Sequence, residues 1–243
     1  MLRALVIGGT RGIGRAITLE LLTRDYKVIA VYNKHEKEAS DLISVIPTNK
    51  SNNLQLCKMD IGGKDSISNL YEYVKEKFQE NKIDVLILNT GKTNRQSFEE
   101  LKLEEWEDIL TFNCTIPLFI IQKMMPIMEK GSCIIATGSL MGIFPHSVSI
   151  SYGVSKAALH SIVRNLVKVL SKYSIRINAI VPGFVETEWH KNKSTEMLNS
   201  IKRKISLNRF AETEEIASTF IHVIENKYIN GQEIIVDGGY DFY

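Results

Sequence analysis

The chain has 243 residues, 44% hydrophobic and 24% charged, with a formal net charge of +2. That length suits one α/β domain with a substantial core, and the near-balanced charge gives no electrostatic ground for nucleic-acid or membrane binding. Three separated cysteines, Cys57, Cys114 and Cys133, form neither a disulfide framework nor a Cys-x-x-Cys site and fit a reducing cytoplasm.

Residues 2–7 form the first expected strand, too short and too soon followed by glycine to be a signal-peptide core. The loop Gly8-Gly9-Thr10-Arg11-Gly12-Ile13-Gly14 comes next, and a helical pattern runs over 13–23. Glycines at 8, 12 and 14 permit a tight turn, close approach of a phosphate and close helix–strand packing. The helix N-terminus adds a favourable field for a pyrophosphate. The position between the first strand and first helix of a βαβ unit carries the dinucleotide reading, because a glycine cluster alone is weak. The second expected strand, 27–32, is followed by Asn33 and Lys34. An acidic side chain that binds the ribose hydroxyls of NAD usually stands about 20 residues beyond the glycines, and the strand end has none. Arg11 and Lys34 suit a 2′-phosphate, so the expected cofactor is NADP(H). Glu36 and Glu38 fall beyond the strand end.

Further strands are expected at 54–58, 85–88, 133–137, 176–181 and 233–236, with helices over 64–79 and 152–170. Near-continuous apolar strands imply a sheet buried on both faces. The expected fold is α/β, a Rossmann-type doubly wound parallel sheet forming a single domain over 1–243, with no repeat or linker. The apolar stretch 116–128 is broken by Pro117, Lys123 and Pro126 and does not read as a membrane span. After Pro182-Gly183, residues 186–209 are polar and lysine-rich, with Trp189, Met197 and Leu198 among them. A substrate lid or an ordinary surface excursion both fit this segment.

Tyr152 and Lys156 lie four residues apart, hence on one helix face, with Ser139 ahead of them. An ammonium beside a phenol favours the phenolate and is expected to lower the tyrosine pKa from about 10. Five scattered histidines, His35, His146, His160, His190 and His222, have no metal-ligand spacing, and no metal is expected.

In order along the chain stand Gly8–Gly14, Asp60-Ile61, Asn89-Thr90-Gly91, Asn113, Ser139, Tyr152-x-x-x-Lys156, Pro182-Gly183-Phe184-Val185-Glu186-Thr187 and the tail Asn230–Gly239. This series resembles the single-domain short-chain dehydrogenases/reductases over essentially the whole sequence. Within that family it is most similar to 3-oxoacyl-(acyl-carrier-protein) reductases, through Thr10–Ile17, Glu105-Trp106 and Gly183–Thr187. Three departures stand out. Ile7 replaces the usual Thr before the first glycine, Leu88-Asn89-Thr90-Gly91 replaces Asn-Asn-Ala-Gly, and Gly153-Val154-Ser155 replaces an alanine-rich spacer.

The resemblance implies that Tyr152 protonates a carbonyl oxygen as hydride arrives at carbon. It implies that Lys156 lowers the Tyr152 pKa and binds the nicotinamide ribose, that Ser139 polarises the carbonyl, and that Asn113 holds a relay water. It also implies cofactor contacts from Gly8, Thr10, Arg11, Gly12, Ile13, Gly14, Asn33, Lys34, Asp60, Ile61, Asn89, Thr90, Gly91, Tyr152, Lys156, Pro182, Gly183, Val185 and Thr187. A local argument bears on Asn113. Pro117 lacks an N–H, so in a regular helix the Asn113 carbonyl has no i+4 donor, and a kink there would expose that oxygen; the alternative is that Pro117 merely starts a helical segment.

The expected function is NADPH-dependent reduction of a 3-oxoacyl thioester on an acyl carrier protein or polyketide equivalent. Alternatives are reduction of another small ketone and a dinucleotide-binding regulator without turnover. Lys123, Lys130, Lys168 and Lys172 fit solvated helix faces or a carrier-protein dock. The family likeness also implies a homotetramer or homodimer.

Overall fold

Every pairing in the sheet is parallel, as the apolar strands demand. The computed structural model describes residues 1–78, 82–145, 149–188 and 194–240. Strands β1 (Arg3–Ile7), β2 (Lys27–Tyr32), β3 (Leu54–Lys58), β4 (Ile83–Leu88), β5 (Met128–Thr137), β6 (Arg176–Pro182) and β7 (Glu233–Val236) form one sheet in the order β3-β2-β1-β4-β5-β6-β7. In register, Ile7 lies beside Val31 and Leu88, Leu88 beside Ala136, and Thr137 beside Ile180. The strand ends therefore share one edge. The order reverses between β1 and β4, where doubly wound sheets open a ligand crevice.

Side chains alternate across the sheet at a period of two. Ala4, Val6, Val28, Ala30, Val85 and Ile87 pack one way, against α1 (Gly12–Thr23), α2 (Glu36–Val45) and α8 (Thr213–Glu225). Leu5, Ile7, Ile29, Val31, Leu86 and Leu88 pack the other way, against α3 (Ser66–Lys77), α5 (Ile116–Met124) and α6 (Ile150–Ser171). Two further helices, α4 (Leu103–Leu110) and α7 (Thr195–Lys202), complete the described set.

Element ends shift modestly from expectation, and β5 differs most. It starts at Met128 rather than Cys133, because Met128 already pairs with Ile83 before the register shifts between Ile83 and Val85. Gly131 takes φ +91 in that stretch, a backbone setting glycine adopts without steric cost. In the segment 186–209, residues 189–193, with Trp189, lie outside the described residues. Helix α7 follows, started by Ser194 Oγ accepting from Met197 N–H at 3.2 Å. Beyond it, buried Ile205 and the Leu207 N–H bond to the Gly238 carbonyl at 3.1 Å tie the segment to the tail.

The irregularity expected near Asn113 is present, and it takes the form of a widened turn. Residues Thr111–Thr115 make one π turn between α4 and α5, with Ile116 N–H donating to the Thr111 carbonyl, and Pro117 sits in the first turn of α5. The widened turn absorbs the proline within one continuous helical run. That run, Leu103–Ile127, is apolar and long enough to cross a membrane by length and composition alone. In this fold, Ile116, Ile120, Ile121 and Met124 are packed into the core.

Arg176 of β6 is the chief buried cation outside the site. Its Nη1 donates to the Val223 and Ile229 carbonyls (3.0 and 2.7 Å) and its Nη2 to Ile224 (3.0 Å). It thus satisfies the carbonyls at the C-terminal end of α8, where a cation also meets the helix dipole favourably. Arg176→Ala is expected to destabilise by about 2–4 kcal/mol through these orphaned acceptors, read as a lower denaturant midpoint with an unchanged slope.

Candidate active site

The loops after β1, β2, β3, β4, β5 and β6 place the expected residues along one edge of the sheet. After β1, Gly8 has φ +80 and Gly12 φ +51, and a Cβ built on Gly14 would stand 1.9 Å from the Gly8 carbonyl oxygen. Only glycine lets α1 start this close to the strand. Arg11 occupies the N-cap of α1 without a side-chain cap bond, and the first turn holds no acid. Thr187 from the loop after β6 stands over this turn, its Cγ2 3.4 Å from where a Gly12 Cβ would lie. Thr10 is buried and Ile13 half-buried.

Beside the glycine turn a cleft is lined by Gly8, Asn33, Asp60, Ile61, Thr90 and, unanticipated from the sequence, Tyr32, Met59 and Phe112. Asp60 is shaped by its own loop, Oδ1 accepting from Gly62 N–H at 3.0 Å. Asn33 and Lys34 are exposed at the end of β2. Neither the Arg11 nor the Lys34 side chain has a hydrogen bond or ion pair among the described residues.

Asn89 acts as a tie. Its Nδ2 donates to the Gly8 carbonyl (3.1 Å) and its Oδ1 accepts from Thr137 Oγ1 (3.0 Å), joining the ends of β1, β4 and β5. Val185 turns inward, 5% exposed and bridged to Ala211, so its side chain belongs to the core and only its backbone faces the loop. Pro182 closes β6, and Gly183 packs against Asp237, which a Cβ would meet at 2.8 Å.

The four residues expected to be catalytic converge. Ser139, at the N-cap of a short turn over Leu140–Gly142, accepts from Met141 N–H at 3.2 Å. Its hydroxyl and the Tyr152 phenol are hydrogen-bonded to each other. Lys156, one turn further along α6 and 2% exposed, donates from Nζ to the Thr137 carbonyl at 2.7 Å. Gly91 faces it, since a Cβ there would lie 3.6 Å from Nζ and 3.9 Å from Asn113 Oδ1. Asn113 is itself clamped. Its Oδ1 accepts from Lys92 N–H (2.8 Å), and its Nδ2 donates to the Lys92 carbonyl (2.7 Å) and Ser155 Oγ (2.9 Å). Lys92, absent from the expected set, is thus the partner that locks the π turn to the end of β4.

One expectation is corrected. Lys156 does not lower the Tyr152 pKa in this arrangement. Its Nζ stands 5.8 Å from the tyrosine ring centroid and is directed at Thr137. Burial dominates and pushes the phenol up, with the Ser139 hydrogen bond opposing it. The same burial pushes Lys156 down to about 8. Excluding water penalises the charged form of each group, so the two shifts run in opposite directions.

His146 lies outside the described residues, and among those described no group of acidic, histidine or cysteine side chains is arranged to hold a metal.

A model described as enoyl-(acyl carrier protein) reductase matches residues 8–241. The chain belongs to the short-chain dehydrogenase/reductase family. It is 29% identical over 240 residues to the 3-oxoacyl-(acyl-carrier-protein) reductase FabG of Staphylococcus epidermidis, covering 97% of each chain. To FabG of Salmonella typhimurium it is 30% identical over 242 residues, covering 97% of this chain and 96% of that one. A short-chain dehydrogenase from Burkholderia cenocepacia, solved in complex with NADP, superposes with a TM-score of 0.91 at 25% identity, covering 99% and 98%.

Lys156 couples the site to stability. Its native pKa of about 8 lies below the ordinary 10.5, so the unfolded chain binds that proton more readily than the native state. The resulting penalty is complete below pH 8 and fades as pH rises from 8 toward 10.5. Lys156→Met is therefore expected to raise the melting temperature at pH 7, with the gain shrinking by pH 10. Calorimetry at both pH values checks this.

Proposed function

We propose that this oxidoreductase is an NADPH-dependent ketoreductase acting on a 3-oxoacyl thioester carried by an acyl carrier protein or a polyketide equivalent. The observation that carries the reading is the Ser139–Tyr152 hydroxyl pair with buried Lys156 one turn beyond, at the strand ends beside a glycine turn.

The cleft fits a phosphorylated dinucleotide. Gly8, Thr10, Gly12, Ile13 and Gly14 leave backbone room and open helix-terminal N–H groups for a pyrophosphate. Arg11 and Lys34, without side-chain partners among the described residues, and Asn33 at the end of β2 suit a 2′-phosphate. Asp60 and Ile61 border the adenosine end, Asn89, Thr90 and Gly91 the middle, and Pro182, Gly183, Val185 and Thr187 the nicotinamide end. That the Burkholderia cenocepacia relative was solved in complex with NADP supports the phosphorylated form of the cofactor. A nicotinamide held there supplies hydride.

The chain's own residues manage the oxygen. Ser139 donates a hydrogen bond to the carbonyl oxygen and fixes its pose. Tyr152, kept protonated by burial, delivers its proton to that oxygen as charge builds. Lys156 binds the ribose and, at its depressed pKa, is a proton source behind the phenol. Asn113, at the π turn, anchors the relay to solvent. The described part of the segment, 194–209 with α7, is assigned to covering the substrate end of the cleft. The likeness to the two FabG enzymes supports the thioester substrate, and assembly as a homotetramer or homodimer is part of the same proposal. Lys123, with its Nζ 5.0 Å from the Tyr71 ring centroid, is drawn to that ring and fits a helix face better than a carrier-protein dock.

NADPH oxidation is to be measured with acetoacetyl thioester, simple ketones and crotonoyl thioester side by side. A preference for the acetoacetyl thioester is expected. A preference for simple ketones overturns the thioester reading, reduction of crotonoyl thioester moves the reaction to the carbon–carbon double bond, and NADPH binding without turnover points to a regulator. Tyr152→Phe is expected to lower kcat by about 10²–10⁴-fold while NADPH affinity is retained. The raised Tyr152 pKa also sets a pH preference. Ketone reduction, which needs the phenol, is expected to hold through neutral pH, and alcohol oxidation, which needs the phenolate, to rise only in alkali. Initial rates in both directions from pH 6 to 10 check the sign.

A further inference from the structure

Helix α6 carries Tyr152, Lys156, His160 and Arg164 at four-residue intervals, and the mechanism uses only the first two. His160 is 1% exposed. Its ring lies directly beneath the serine turn, where a Cβ on Gly138 would stand 2.3 Å from Nε2 and one on Gly142 3.0 Å from Cε1. The Ser139 backbone N–H donates to His160 Nε2 at 3.3 Å. On the ring's other side, Nδ1 faces Glu233 Oε2 of β7 at 3.3 Å, and Glu233 is also paired with Arg164. A neutral imidazole donates from one nitrogen and accepts at the other. An acceptor beyond Nδ1 and a donor before Nε2 select the Nδ1–H form.

We propose that His160 is a positioning residue for this reaction, whose Nε2, held unprotonated by the Glu233 contact at Nδ1, accepts the Ser139 N–H and sets where the Ser139 hydroxyl meets Tyr152 and the carbonyl oxygen. The inference rests on the site reading above. It adds a layer behind the hydroxyl pair that runs from Arg164 through Glu233 and His160 to Ser139. Protonation would turn Nε2 into a donor facing another donor, so the arrangement requires neutral imidazole. The charged groups facing the ring are Lys156 and Arg164 from α6 and Glu233 from β7, while the serine turn contributes none. Burial and the two cations outweigh Glu233 and push the imidazole down to about 4, below its ordinary 6.5. The accepting form therefore persists across the neutral and mildly acidic range.

Two substitutions separate positioning from mere packing. In His160→Gln the amide oxygen takes the place of Nε2 as acceptor, whereas His160→Leu offers none; both give up the Glu233 contact. His160→Leu is expected to lose about 10- to 100-fold in kcat with the KM for NADPH unchanged, and His160→Gln to recover most of that loss. Arg164→Ala, which removes a cation beside the ring, is expected to move the acidic limb of kcat toward neutral pH. Nitrogen-15 histidine spectra of the wild-type protein at pH 7, assigned against His160→Gln, are expected to report Nδ1–H with bare Nε2. The Ser139 amide is expected to exchange faster in His160→Leu than in His160→Gln. Equal impairment of the two variants, an unchanged kcat in His160→Leu, or an Nε2–H imidazole overturns the proposal. The spectra and amide exchange decide it even if no carbonyl is reduced, an outcome that would instead overturn the reading of the site.

Discussion

A buried ammonium has to find an acceptor, and the Lys156–Thr137 hydrogen bond is the constraint around which this site is built. Lys156 is almost fully enclosed, and its Nζ donates to a carbonyl at the end of β5. That bond draws α6 against the turn that follows β5. A Cβ on Gly142 would stand 2.8 Å from both the Lys156 carbonyl carbon and the Ala157 nitrogen, and one on Gly153 would stand 2.9 Å from the Met141 carbonyl oxygen. Backbone presses on backbone along this seam, so Ser139 and Tyr152 meet without either chain having to move. The same closeness limits water at Tyr152 and encloses Lys156, which raises the phenol pKa and lowers that of the lysine.

Around that seam the other ties are made by polar side chains. Asn89 joins three strand ends, Asn113 locks the π turn to Lys92, and His160 bridges the serine turn to β7. Each spans elements remote in sequence, and each satisfies buried polar groups that otherwise carry a desolvation cost. The parallel sheet makes this possible, because its register brings the ends of β1, β4, β5 and β6 to a common edge. A site assembled from rigid strand ends holds its groups more tightly than one assembled from loops alone.

Much of this was legible in the chain. Strand positions followed from short Val- and Ile-rich runs bounded by glycine, asparagine and proline, and β2, β3 and β7 matched residue for residue. Less legible was the start of β5, where lone Met128 pairs before an irregular stretch, because alternation across Glu129–Ser132 is too polar to read as strand. Among the site residues, Ser139, Tyr152 and Lys156 were visible through spacing and order. Lys92, Met59 and Phe112 were not, since they contribute backbone groups or apolar contact that no motif records. His160 lay in plain view, two helical turns beyond Tyr152, but a single histidine has no meaning until its partners are known. Those partners are Ser139, 21 residues before it, and Glu233, on the last strand.

By itself the sequence determined the alternating α/β pattern, the doubly wound sheet, the glycine turn and the identity of the groups at the reacting centre. These are local or periodic properties, written in side-chain size, branching and spacing. Tertiary structure alone decided how those groups ionise and what holds them. Spacing on a helix suggested that Lys156 would draw down the pKa of Tyr152, but spacing carries no information about solvent. Only the closed seam between α6 and the end of β5 buries Lys156 and half-buries Tyr152, and desolvation of the phenol then outweighs the Ser139 hydrogen bond that favours its charged form. The helix arithmetic was right about who is near whom, and the buried environment decided the charge each one carries.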